Sequence, residues 1–403
     1  MRTLSRDLSA TRGDPGPAGF TVGGNLAATP GKVVFRDALM ELIQYAPATA
    51  TLSAEPVLIV PAWVTKYYIL DLSSANSLIL WLVNQGHTVF VISWCNPGVE
   101  LHDASLDDYR VLGIMAAIDA VRAICGDAKI HATGYCLGGT LLSIAAATMA
   151  RDGDDRLASL SLFAAQTDFS EVGELQLFIT EDQLDVLSDI TQAQGYLESA
   201  QMIGTYQMSG PNDLVWDGAI RDYLLGEHDA PRDLLAWNAD GTRLPPRMHI
   251  EYLRCLFLHN DLAEGRFHVA GRRVTLNDMR LPMFVVGTER DQVARWRSVF
   301  KLHLLNDGEL TFVLTSGGHN AGIVSEPGHE NRHYRIRVRK PGTRTLTPDE
   351  WERETTPREG SWWHAWSRWL DEHSSGTSGG RPPMGAPGFL PICDAPGSYV
   401  LEM

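Results

Sequence analysis

Gly134-Tyr135-Cys136-Leu137-Gly138 follows the run Lys129-Ile130-His131-Ala132-Thr133 and precedes the small-residue stretch Gly139 to Ala150. That order predicts a strand, a sharp turn and a helix, because glycines on either side of Cys136 let the backbone make the strained turn that lifts a nucleophile over a sheet. The pentapeptide reads as a nucleophile elbow with cysteine where serine is commoner. It points to an α/β fold and to acyl transfer through a covalent intermediate. Alone, G-x-C-x-G is a weak pattern that also fits a Gly-rich turn around a buried thiol, so its surroundings carry the argument.

Outward from the elbow, Val57-Leu58-Ile59-Val60 and His87-Thr88-Val89-Phe90-Val91-Ile92 are continuous apolar runs, the signature of strands buried on both faces. Val111, Ile114, Ile118, Val121 and Ile124 recur at helical spacing before Gly126, a C-terminal stop. Leu157 to Ala164 supplies the next strand. From about 168 to 273 the alternation gives way to amphipathic helical patterns rich in Trp, Tyr, Leu and Met, and it returns with Leu281 to Gly287 and Leu310 to Leu314. The pattern predicts an α/β-hydrolase fold: a mostly parallel sheet flanked by helices, with an inserted, mainly helical cap at about 168–273. Residues 1–31, rich in Gly, Pro, Ser and Thr, are expected as a flexible lead-in, and 32–403 as the catalytic domain.

The 403 residues are 44% hydrophobic, enough for one large domain with an insertion. A formal charge of −15 leaves no basic field for nucleic acid. Neither a secretory leader nor a membrane span is read, and a cytoplasmic location is the expectation. Cys95, Cys125, Cys136, Cys255 and Cys393 are scattered, without C-x-x-C pairs or zinc-like histidine spacing, so neither a disulfide framework nor a metal is expected. Most of these thiols read as small buried apolar residues. Only the context of Cys136 argues otherwise.

In this fold the acid and the histidine follow the nucleophile, each after a late strand. Asp291 stands in Gly287-Thr288-Glu289-Arg290-Asp291 and His319 in Ser316-Gly317-Gly318-His319. We assign a triad of Cys136, Asp291 and His319, with Glu289 ranked second for the acid. His319 would take the thiol proton, since the thiolate is the effective nucleophile, and Asp291 would hold the imidazole in one tautomer. The oxyanion hole is expected from the backbone N–H of Leu137 and from one in the loop near Trp63 and Val64, with Val64 the choice. A cysteine nucleophile exchanges one thioester for another, so the bound acyl group stays activated; serine would drop it to an ester. That favours handing an acyl chain to a second acceptor, with thiol hydrolases as the main rival.

These residues sit in a wider match. Asn25 to Val34, Glu41 to Tyr45, Pro56 to Leu72 (PVLIVPAWVTKYYILDL) and GYCLGGT at 134–140 resemble polyhydroxyalkanoate synthases, such as the poly-3-hydroxybutyrate enzymes, most closely class I. The likeness continues through Asp168-Phe169-Ser170, Asn212 to Trp216, Tyr223 to Gly226, DLLAWNADGTRLP at 233–245, Gly360 to Trp363 and Asp394 to Gly397. The resemblance implies an acyltransferase that polymerises 3-hydroxyacyl-CoA, most readily 3-hydroxybutyryl-CoA, onto a growing polyester chain with release of CoA. It implies no metal or organic cofactor, a homodimer formed through the cap, and residence at the surface of cytoplasmic polymer granules. Cys136, His319 and Asp291 match its nucleophile, base and carboxylate. Against the family pattern, most of the usual N-terminal domain is lacking. Gln292 replaces His, Thr65 replaces Asn, Cys95 replaces Arg, Asn320 replaces an aliphatic residue, and Ser325-Glu326-Pro327 replaces Asn-Pro-Pro. Two alternatives stand beside synthesis: an acyl-CoA thioesterase or polyester hydrolase on the same triad, and a weakly active granule-binding partner of a full-length synthase.

Overall fold

A computed structural model describes residues 19–171, 179–198, 232–378 and 380–403. Among them an eleven-stranded sheet forms the centre, in the order β13 (Arg358–Glu359), β12 (His333–Arg339), β11 (Leu310–Thr315), β10 (Met283–Thr288), β7 (Leu157–Phe163), β6 (Ile130–Tyr135), β4 (Val57–Val60), β5 (Val89–Trp94), β2 (Met40–Tyr45), β1 (Gly31–Arg36) and β15 (Cys393–Asp394), while β3 (Leu52–Ser53) pairs with β14 (Thr377–Ser378) and β8 (His268–Val269) with β9 (Arg272–Arg273) outside it. Its six middle strands are β5 (Val89–Trp94), β4 (Val57–Val60), β6 (Ile130–Tyr135), β7 (Leu157–Phe163), β10 (Met283–Thr288) and β11 (Leu310–Thr315), and neighbours among them pair in parallel. These are the strands expected from the apolar runs, with ends moved by at most two residues. The flanks are antiparallel: β2 (Met40–Tyr45), β1 (Gly31–Arg36) and β15 (Cys393–Asp394) on one side, β12 (His333–Arg339) and β13 (Arg358–Glu359) on the other.

Alternate residues of a middle strand feed two separate cores. Leu58 and Val60 pack with the helices Ala116–Cys125 and Leu137–Asp152, whereas Val57 and Ile59 pack with Leu78–Asn84 and the Trp-rich helix Trp363–Glu372. The period-two geometry of a strand explains why these segments are apolar at every position. The helix after the elbow is buried along most of its length, and its hydroxyls are satisfied: Ser143 donates to Gly139 O at 2.8 Å and Thr148 to Ile144 O at 2.7 Å within the helix, and Thr140 to Gln166 O at 2.7 Å outside it.

The chain runs from β4 outward to β5, then crosses back to β6 on the other side of β4. A reversal of this kind is where open α/β sheets form the crevice that binds their ligands, which falls here at the carboxyl ends of β4 and β6. Between the adjacent strands β7 and β10 the chain leaves the sheet. The described part of that excursion contains the helices Glu181–Gln194, Arg232–Asn238 and Pro246–Tyr252, the last running on as a π-helical turn through Leu258. The remainder of the expected cap, 172–178 and 199–231, lies outside the described residues, as do the Asn212–Trp216 and Tyr223–Gly226 motifs and residues 1–18. The rest of the expected lead-in is anchored to the domain. Leu26 and Ala27 are buried, Ala27 N donates to Asp71 O at 2.8 Å, and Thr29 Oγ1 donates to Asp71 Oδ1 at 2.5 Å.

Candidate active site

Cys136 sits at the end of β6 with φ 52° and ψ −127°, a backbone state that a side chain normally avoids. Its neighbours hold it there. Cys136 N donates to Phe163 O at 2.9 Å, and Cys136 O accepts from Gly139 N at 2.9 Å. A Cβ on Gly134 would collide with the backbone of Gly139, and one on Gly138 with the carbonyl oxygens of Val60 and Pro61. The glycines therefore serve close packing as well as the turn: without them the strand end, the helix start and the β4 loop could not meet.

His319 follows β11, and its imidazole is hydrogen-bonded to Asp291, with Cys136 near enough to act on its charge. Nδ1 donates to Asp291 Oδ2 at 2.8 Å. The carboxylate is fully buried and otherwise satisfied, Oδ1 accepting from Val293 N and Ala294 N at 2.8 and 2.7 Å and Oδ2 from Thr288 Oγ1 at 2.9 Å. Burial opposes a charged imidazole, yet the negative charge of Asp291 and of a Cys136 thiolate outweighs it, so the His319 pKa stands well above 6.5. Glu289, the second choice for the acid, faces another histidine, with both carboxylate oxygens 3.2 Å from His333 Nε2.

The other described thiols are placed differently. Cys95 is buried, and burial pushes the Cys95 and Cys125 thiols up to about 12 and raises Cys255 as well. Among the described residues, no group of three or more His, Cys, Asp or Glu side chains is disposed to hold a metal.

Leu137 is the first residue of the elbow helix, where backbone N–H groups lack intrahelical partners, and Val64 lies in the turn after β4. The glycine contacts set the start of the elbow helix against Val60 and Pro61, at the entry to the loop that carries Val64. What the sequence reading missed is how firmly the β4 loop is tied down by the segment 237–243. Thr242 Oγ1 donates to Trp63 O at 3.0 Å, Trp237 Nε1 to Lys66 O at 2.8 Å and Tyr68 OH to Asp240 Oδ2 at 2.9 Å, while Thr65 and Gly241 form a β-bridge. Buried Lys66 adds a tie to the C-terminal segment, donating to Glu402 O at 2.6 Å and Tyr399 O at 3.3 Å. The only signal for these ties was the motif DLLAWNADGTRLP, whose contacts the resemblance left unstated. Of the positions that depart from the family pattern, Gln292 is exposed, Thr65 is in the tied loop and Asn320 directly follows His319.

Residues 1–82 match the family model described as the N-terminus of poly-beta-hydroxybutyrate polymerase (PhaC), and residues 55–326 match the alpha/beta hydrolase fold. The poly(3-hydroxyalkanoate) polymerase of Methylorubrum extorquens is 40% identical over 99% of this chain and 66% of its own length. The PhaC subunit of Cupriavidus necator is 35% identical over 99% of this chain and 68% of its own length. The chain belongs to the poly(3-hydroxyalkanoate) polymerase family. Another family member, PhaC of Rhizobium meliloti, is 36% identical, and the chain covers 65% of it. The chain thus spans about two thirds of the length of the curated polymerases it matches. Its fold is that of the α/β hydrolases. Among the described residues, no helix is long and apolar enough to cross a membrane.

Proposed function

We propose that this chain is a polyester synthase that polymerises 3-hydroxyacyl-CoA, 3-hydroxybutyryl-CoA foremost, on Cys136. The observation that carries the reading is the Asp291–His319 hydrogen bond beside a strained elbow that presents Cys136, in a member of the polymerase family. His319 takes the thiol proton, and the Cys136 thiolate attacks the thioester carbonyl. The oxyanion that forms is met by the N–H groups of Leu137 and Val64. Collapse expels the CoA thiolate, which receives the proton from His319 and departs as CoA. The acyl group is now a thioester of Cys136, about as activated as before. His319 next removes the proton from a 3-hydroxyl, either of an incoming unit or of the growing chain, and that oxygen attacks the acyl-cysteine. An ester forms, and the Cys136 thiolate leaves.

The reading needs no metal or organic cofactor. It assigns 168–273 as a cap over the crevice, with dimerisation through the cap and work at a polymer granule surface as extensions. Incubation with 3-hydroxybutyryl-CoA should release CoA and leave polymer, and Cys136→Ala should abolish both. Release of CoA with only free acid would replace this reading by the hydrolase. Full turnover by the Cys136→Ala variant would remove the site assignment.

A further inference from the structure

Tyr135, the residue before Cys136, points to the sheet face opposite Ala132 and is buried there among Phe163, Trp362 and Ile323. Its hydroxyl donates to Asn320 Oδ1 at 2.6 Å, and its ring lies 5.7 Å from the imidazole of His319, inclined by 33°. Burial keeps the phenol protonated well beyond its ordinary range, so it remains a donor. Asn320 heads a tight turn, its carbonyl accepting from Ile323 N at 3.0 Å and Val324 N at 2.9 Å. The tie therefore runs from the nucleophile's own strand to the base's own turn.

We propose that Tyr135 and Asn320 form a positioning pair that sets the reach of His319 to Cys136. Asp291 holds only one nitrogen of the ring, and an imidazole held at one point can still swing about that bond. The ring contact with Tyr135 and the hydrogen bond to the next residue in the chain remove that freedom. A base kept in line with the thiol needs no rearrangement in either half of the cycle, as proton acceptor from sulfur or donor to the leaving thiolate. In this chain the arrangement depends on a polar tie that an aliphatic residue at 320 could not make.

The inference rests on Cys136 as nucleophile and His319 as base, and its test separates the two. The rate of Cys136 alkylation by iodoacetamide is measured against pH, alongside kcat and KM for CoA release, in the wild type, Asn320→Leu, Tyr135→Phe and the double variant. Asn320→Leu should lower kcat by about 10- to 100-fold with KM nearly unchanged, and should shift the pH profile of alkylation. The double variant, which also lacks the tie, should lose as much kcat as Asn320→Leu while regaining stability because it no longer strands a buried hydroxyl, and Asn320→Ser should recover part of the kcat by restoring an acceptor. Equal losses in kcat and thermal stability with an unmoved pH profile would reduce the pair to a structural contact and overturn the proposal. Slow, pH-indifferent alkylation of the wild type would instead overturn the assignment of Cys136 itself.

Discussion

Asp291 Oδ2 lies 2.8 Å from His319 Nδ1, and the carboxylate's other oxygen is held by the N–H groups of Val293 and Ala294. The acid is thus fixed from behind before it fixes the imidazole, so it acts as an oriented dipole acceptor and not merely a nearby charge. Replacement by the isosteric amide keeps the shape and removes both the charge and the tautomer preference. Asp291→Asn should lower kcat on the order of 10³- to 10⁴-fold with little change in substrate affinity. It should also lower the His319 pKa, read by NMR titration of the imidazole, because the negative charge that offsets burial is gone. An unchanged imidazole pKa would contradict the account.

Gly138→Ala tests the packing role of the elbow. The added methyl meets two backbone carbonyls, of Val60 and Pro61, and backbone cannot rotate away as a side chain can. Destabilisation of about 1–3 kcal/mol in urea unfolding is expected, together with loss of activity through displacement of Cys136. A fully active variant of wild-type stability would show that the elbow has room to spare.

Thr242→Val removes the hydroxyl that bonds Trp63 O while preserving shape. Unfolding measurements should find a loss of about 1 kcal/mol, the net worth of one buried hydrogen bond plus the carbonyl it leaves unpaired. Because the same loop carries Val64, steady-state kinetics should show kcat falling more than KM rises. Loss confined to KM would detach this tie from the oxyanion loop.

Stability should fall in acid between pH 6.5 and 4. Burial pushes His131, His249 and His303 down to about 4, whereas each titrates near 6.5 when unfolded. Their contribution is complete above pH 6.5 and is lost as pH falls toward 4, since only the unfolded chain takes up the protons. Asp71 works in the opposite sense. Burial outweighs its bonds from Ser77 and Thr29 and raises it to about 6, so its contribution is present below the unfolded value and is lost as pH rises through 6. Three imidazoles against one carboxyl leave a net uptake of about two protons on unfolding near pH 5, a slope of roughly 2–3 kcal/mol per pH unit. Denaturant titrations at pH 4.5, 5.5 and 6.5 read that slope, and Asp71→Asn should steepen it. A flat profile over this window would refute the buried-neutral reading of the histidines.

How much of this was legible beforehand follows from the range over which each feature is decided. The middle strands are apolar at every position because both faces are covered, and the elbow glycines stand where the backbones of β6, its helix and the β4 loop collide with anything larger. Such constraints act over a few residues and leave a local pattern. The flanking strands do not. β2 carries Glu41 and Gln44 fully buried, because Glu41 is paired with Arg36 and bonded by Ser398 and Tyr399, while Gln44 bonds Pro383 O and Gly385 N. Arg36 apart, the partners that let these two polar side chains sit inside the sheet lie more than 300 residues away in the chain.

By itself, then, the sequence determined the α/β order, the turn at Cys136 and the placing of Asp291 and His319 after late strands, since each reflects strand period, turn sterics or position after a strand. Tertiary structure alone decided that Asp291 and not Glu289 meets His319, that 237–243 binds the β4 loop, and that Tyr135 reaches Asn320 across 185 positions. Those choices depend on hydrogen-bond distances between segments that meet only after the sheet has formed, and no local periodicity encodes them.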